Sequence, residues 1–164
     1  MSMRFRAVKG FSLLEALLVV VLMSILAGVV VPRFAYDHVT HQKVYATAHN
    51  IAADLRYARR LSIGRGVKGS GDNHWLKLYT VGSATDTWRV FENGGEANYL
   101  KTHTVPGNDI RIKGVATDSF YFDYRGNPSP ANGGYISVYD RDNRYQWDVS
   151  VVANTGRIRL IQIK

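Results

Sequence analysis

Cysteine is absent from the 164-residue chain, and proline occurs only four times. The first absence excludes a disulfide scaffold, a thiolate-bound zinc or iron–sulfur site and a thiol nucleophile. The second excludes a proline-rich linker protein. Acidic residues are the minority charge, 13 Asp+Glu against 21 Lys+Arg, for a formal net charge of +8. Phosphate-loop and nucleophile-elbow patterns are missing too: no G-x-x-x-x-G-K-[ST] occurs, no G-x-G-x-x-G follows a strand and opens a helix, and there is no G-x-S-x-G. What remains is one domain's worth of material, 46% apolar and 12% aromatic, too rich in both for intrinsic disorder.

The apolar content is concentrated at one end. From Phe11 to Val31 the sequence reads FSLLEALLVVVLMSILAGVVV, with Glu15 as its single charge, and then meets Pro32. A helix of that length spans roughly 30 Å, the hydrocarbon thickness of a bilayer. Ahead of it stands the leader MSMRFRAVKG, in which Arg4, Arg6 and Lys9 carry positive charge. Positive charge on the short flank predicts that this end stays cytoplasmic and the rest is exported. A secretory signal needs a small-residue cleavage site after the apolar run, and Ala27 and Gly28 fit that requirement poorly. A plain anchor leaves Glu15 unexplained, since a lone carboxylate at that depth costs about 2–3 kcal/mol.

Lys9-Gly10-Phe11-Ser12-Leu13-Leu14-Glu15, an apolar helix and Pro32 together resemble the class III signal and N-terminal helix of type IV pilins and type II secretion pseudopilins. The resemblance implies cleavage by prepilin peptidase between Gly10 and Phe11, methylation of Phe11, an assembly role for Glu15 and a helix kink at Pro32. Cleavage leaves an amine on Phe11 in an apolar setting, where the carboxylate of an adjacent subunit neutralises it. Burying either charge alone is unfavourable, so the pairing selects the stagger between helices.

Beyond Pro32, Val44, Ala48, Ile51, Leu55, Ala58 and Ser62 mark one face of an amphipathic helix, with Asp37, Lys43, Asp54, Arg56, Arg59 and Arg60 outside that stripe. Gly64 is a suitable stop. From Trp75 onward the period becomes strand-like in eight runs: WLKLYTV, TWRVF, YLKTHTV, DIRIKGV, SFYFDY, GYISVYD, RYQWDVSVV and IRLIQIK. Arg141-Asp142-Asn143 reads as a hairpin tip. The expected fold is α+β: a long N-terminal helix, half transmembrane and half amphipathic, packed on an antiparallel β domain of two sheets. The expected divisions are a leader (1–10), a transmembrane and assembly helix (11–32), a stalk helix (33–64) and a β domain (65–164). Asn50–Arg59, Phe122–Asn127 and Val149–Ile158 are similar to segments of the protein H (GspH) and FimT branch of minor pseudopilins and pilins.

Candidate sites in the remainder are sparse. Gly64, Gly66, Gly69 and Gly71 read as a loop rather than a phosphate cradle. His38 and His41 lack a third ligand at metal spacing, and Asp140, Asp142 and Asn143 read as a charged hairpin tip rather than a calcium loop. Without the leader's cations the net charge falls from +8 to +5, so the basic excess survives processing. Arg157 and Arg159 project to one face of the last strand, and Arg56, Arg59, Arg60, Arg65 and Lys68 form a second basic stretch. Gly156-Arg157-Ile158-Arg159 resembles the tail motif of DNA-binding FimT-like minor pilins, which makes Arg157 and Arg159 candidate DNA contacts. Ile158 and Leu160 share one strand face while Ile161 and Ile163 share the other, which requires either burial on both sides or a bulge.

These readings converge on a minor pseudopilin or minor pilin of a secretion pseudopilus or type IV pilus. It has no catalytic residue, metal or cofactor, and is anchored in the bacterial inner membrane with its C-terminal domain periplasmic. The expected partners are other pilin or pseudopilin subunits and prepilin peptidase. The alternative is a DNA-binding minor pilin that captures DNA for uptake.

Overall fold

The computed structural model describes residues 12–65, 74–81, 84–91, 99–105, 107, 109–115, 118–129 and 133–164. One helix, α1, runs Leu13–Arg65. By compactness the chain divides into two units, Met1–Val39 and Thr40–Lys164, and α1 contributes to each. The helix runs on through position 32, so Pro32 stands inside it rather than ending it. It also includes Gly64, so the glycine does not stop it there.

The C-terminal unit carries β1 (His74–Val81), β2 (Ala84–Phe91), β3 (Tyr99–Thr104), β4 (Ile110–Val115), β5 (Ser119–Phe122), β6 (Pro128–Ser129), β7 (Gly134–Asp140), β8 (Gln146–Val151) and β9 (Ile158–Gln162). They form a five-stranded sheet of order β3-β2-β1-β5-β6 and a four-stranded sheet of order β4-β7-β8-β9. Every pairing is antiparallel. Each of the eight runs identified from sequence contains a strand. The two-residue β6 is additional, and its Pro128 is tolerated because β6 is an edge strand that needs no further backbone donor.

Alternation along the strands aims one row of each sheet at a shared core. Leu76, Leu78, Trp88, Val90, Phe120 and Phe122 supply it from the larger sheet, and Ile110, Ile112, Ile136, Val138, Val149, Val151 and Ile158 from the smaller. From α1, Val44, Ala48, Ile51, Leu55 and Ala58 are fully buried in the same cluster. Ser62 of the predicted stripe is buried, and so are Thr40, Thr47 and Asp54 beyond it, so the covered face is wider than that stripe. The reason is geometric: two sheets close on one helix and enclose more of its circumference than a single sheet would. The five-stranded sheet carries aromatic side chains on its second face, with Lys77 and Arg89 among them. Trp75 stacks on Phe91 at 4.2 Å and on Tyr121 at 4.9 Å. The Arg89 guanidinium lies over Tyr79 and Tyr99.

The last strand resolves the conflict in its own pattern. Ile158 is buried and Leu160 packs against the core, whereas Ile161 and Ile163 stay 44% and 49% exposed. The β8–β9 register runs without interruption from Trp147↔Gln162 to Val151↔Ile158. There is neither two-sided burial nor a bulge; the strand presents two isoleucines outward.

Leu55→Ala is expected to lower the unfolding free energy by about 2–5 kcal/mol, because the side chain leaves a cavity between both sheets. Ile161→Ser is expected to change it by less than about 0.5 kcal/mol. Denaturant unfolding of the detergent-solubilised chain measures both, and equal effects would contradict the burial pattern.

Candidate functional site

Leu13–Val30 has a mean hydropathy of 2.7, and none of it is buried within the protein. Leu13, Leu14, Met23 and Val29 are each exposed by two thirds or more. A helix apolar around its whole circumference needs a bilayer or other apolar helices as its surroundings. Eighteen residues rise about 27 Å, close to a hydrocarbon core. The Ser24 hydroxyl is already satisfied, donating to the Val20 carbonyl at 2.8 Å as an apolar medium requires. Glu15, the acid of the first turn, is exposed in this segment. Its carboxylate can accept a cation from outside the helix. Gly10 and Phe11 lie outside the described residues.

The second half of α1 holds the β domain with two charged side chains that the sequence pattern had placed outside the buried stripe. Asp54 is one correction: it is 4% exposed rather than solvated. Its carboxylate accepts a hydrogen bond from the Trp88 indole N–H at 2.9 Å, meets His103 Nε2 at 3.2 Å and pairs with the Lys101 ammonium at 3.5 Å. His103 stacks on Trp88, and Lys101 lies over the Tyr57 ring. A buried carboxylate is tolerable only with such partners. The signal was present in the spacing, since Asp54 stands three residues from Ile51 and four from Ala58 on the covered side.

Arg59 is the other correction. Its Nε donates to the Gly126 carbonyl at 3.0 Å and its Nη2 to the Thr155 carbonyl at 2.9 Å. The first carbonyl belongs to a turn organised by Asp123, whose carboxylate accepts the backbone N–H of Arg125 and of Asn127. The second lies in the turn between β8 and β9, where Asn154 and Gly156 both have φ of 60°. A Cβ on Gly156 would overlap the Gly126 carbonyl oxygen, and the positive φ disfavours any side chain there. The three segments with pilin-like sequences, Asn50–Arg59, Phe122–Asn127 and Val149–Ile158, therefore meet at one guanidinium.

Arg59 is committed internally, and Lys68 lies outside the described residues. Arg157 and Arg159 are exposed, the first just ahead of β9 and the second within it, opposite Ser150. Two cations that the strand pattern did not single out, Arg111 and Lys113, stand on β4 at the far edge of the same sheet.

The ion-site candidates have local partners. The Asp140 carboxylate accepts the backbone N–H of Arg144 and Tyr145 at 2.7 and 2.8 Å, and Arg144 also pairs with Asp140 and Asp142. Asn143, at φ 54°, forms the hairpin tip. His41 packs edge-on against Tyr145 at 4.9 Å. Among the described residues no group of three or more His, Cys, Asp or Glu is placed to hold a metal. Gly66, Gly69 and Gly71 lie outside the described residues.

Arg59→Ala is expected to cost about 1–2 kcal/mol, since two charge-assisted bonds are lost and one of them is open to water. Amide hydrogen exchange should accelerate in 123–127 and 152–157 together. Acceleration in one turn alone would show that the guanidinium does not couple them.

Residues 47–156 match the family of type II transport protein GspH, and residues 5–31 match the prokaryotic N-terminal methylation motif. Two crystal structures of the type IV minor pilin FimU from Pseudomonas aeruginosa PAO1 are similar in fold. The P65 form has a TM-score of 0.55 at 17% identity, covering 71% of this chain and 91% of its own. The P21 form has a TM-score of 0.57 at 17% identity, covering 73% and 89%. The likeness to the solved minor pilin is one of fold. The chain belongs to the type II transport protein GspH family.

Proposed function

We propose that this protein works as a structural subunit, a minor pseudopilin or minor pilin, of a filament assembled from the membrane. The observation that carries the reading is the exposed apolar run Leu13–Val30 with Glu15 in its first turn, in a chain whose C-terminal unit belongs to the GspH family. Such a helix has two favourable surroundings, lipid before assembly and neighbouring apolar helices after it. Transfer between them exchanges one apolar medium for another, so the transmembrane segment itself presents little barrier to assembly.

The polar groups then decide the geometry. Prepilin peptidase removes residues 1–10, cutting between Gly10 and Phe11, and the new Phe11 amine is methylated. Glu15 of one subunit neutralises the amine of the next, since neither charge is stable alone among apolar helices. Pro32 provides the kink within α1. The cationic leader keeps the N-terminus cytoplasmic and sends the β domain to the periplasmic side of the inner membrane. The partners are other pilin or pseudopilin subunits, and the role needs no cofactor or catalytic residue.

Mass spectrometry of the mature chain is expected to find Phe11 at its N-terminus, and Gly10→Val should block processing by crowding the scissile bond. An intact leader, or cleavage near Ala27, would remove the basis of the proposal. Glu15→Val is expected to insert normally and to reduce recovery in assembled filaments at least about tenfold, because removing the carboxylate strands the neighbouring amine. Normal recovery of that variant with its companion subunits would count against the pairing.

A further inference from the structure

The four-stranded sheet turns one face to the core and leaves the other outward. Antiparallel register places Arg111 and Lys113 on that outer face along β4, opposite Tyr139 and Ser137. Along β9 it places Arg159 and Ile161, opposite Ser150 and Asp148. Arg157 is exposed just before β9, and Ile163 just after it. Two rows of cations thus flank a middle strip formed by β7 and β8, roughly 14 Å apart across three strand spacings. The acid of that middle strip, Asp148, is already engaged by the Gln146 amide at 3.0 Å. Among the described residues, none of Arg111, Lys113, Arg157 and Arg159 forms an ion pair with an acid of the chain.

Between the rows lies a shallow cavity of about 320 Å³, lined by Lys113, Ser137, Tyr139, Asn143 and Gln146. An ammonium, two hydroxyls and two carboxamides make it rich in donors, with Lys113 supplying the charge. Its chemistry suits a carboxylate side chain. The β9 side is different, because Ile161 and Ile163 remain 44% and 49% exposed.

We infer that this outer face docks an acidic surface of a different protein, with a partner Asp or Glu seated in the Lys113 cavity and partner apolar side chains covering Ile161 and Ile163. The combination of arginine, tyrosine and exposed aliphatic residues is that of a protein interface with a charged rim. Phosphate backbones match the cations and gain nothing from the isoleucines. A second copy meeting this face symmetrically would set cation against cation, which steers like faces apart. The inference is independent of the helix-based assembly proposed above, since it involves no residue of α1.

The test uses the full detergent-solubilised chain and three labelled probes of equal charge: a peptide of mixed Glu and Leu, a poly-Glu peptide and a short DNA duplex. At about 50 mM salt the Glu/Leu peptide is expected to bind about tenfold more tightly than poly-Glu or DNA. Lys113→Gln combined with Arg159→Gln should weaken the Glu/Leu peptide by about tenfold and flatten its salt dependence, with the melting profile unchanged. Ile161→Ser combined with Ile163→Ser should erase its advantage over poly-Glu. Equal or tighter binding of the duplex, lost with the same cation substitutions, would make this a nucleic-acid face and overturn the inference. Failure of the Glu/Leu peptide to bind, or binding indifferent to both pairs of substitutions, would overturn it as well.

Discussion

Two sheets that share no edge must bury their inner faces against something common, and here that is the stretch of α1 from Val44 to Ala58. Ile51 and Leu55 are fully enclosed in a cluster to which β1, β2 and β5 contribute from one sheet and β4, β7, β8 and β9 from the other. Small side chains at Ala48, Ala52 and Ala58 let both sheets come close to the helix backbone. Remove that seam and neither sheet keeps a dry face. The wide burial of the helix follows from the same constraint, and so does the fate of every polar residue within the arc.

Asp54 and Arg59 show how those polar residues are accommodated. Asp54 lies under the larger sheet, and its carboxylate is satisfied by an indole, an imidazole and an ammonium from β2 and β3. Arg59 reaches the turn after β5 and the turn before β9, tying the final strands of the two sheets to the helix. Each is acceptable in a covered position because several partners converge on it, and each would be costly if those partners were removed. The positive φ at Gly126 and Gly156 belongs to the same arrangement, since a Cβ on Gly156 would meet the Gly126 carbonyl and one on Gly126 would meet the side chains of Ile63 and Arg59.

The first half of α1 follows the opposite rule. Leu13–Val30 is not buried within the protein and offers its circumference to apolar surroundings. One helix thus serves two solvents, with the hydrophobic effect satisfied inside the protein at one end and outside it at the other. That division suits a structural subunit of the GspH family.

Much of this was legible from residue order. The apolar run, its lone Glu15 and the basic leader depend on composition along a short segment, and hydrophobic periodicity marked α1 and eight of the nine strands because local burial patterns repeat at the spacing of the element itself. The outward Ile161 and Ile163 were visible as a conflict in alternation without its outcome. Tertiary structure alone decided which groups meet the Asp54 carboxylate, that Arg59 joins two turns 67 and 96 residues away from it along the chain, and that Arg111 and Lys113 share a face with Arg159. Those facts depend on which strands become neighbours, and strand order is set by contacts between residues far apart in sequence, such as Arg59 with Thr155, which no local period records.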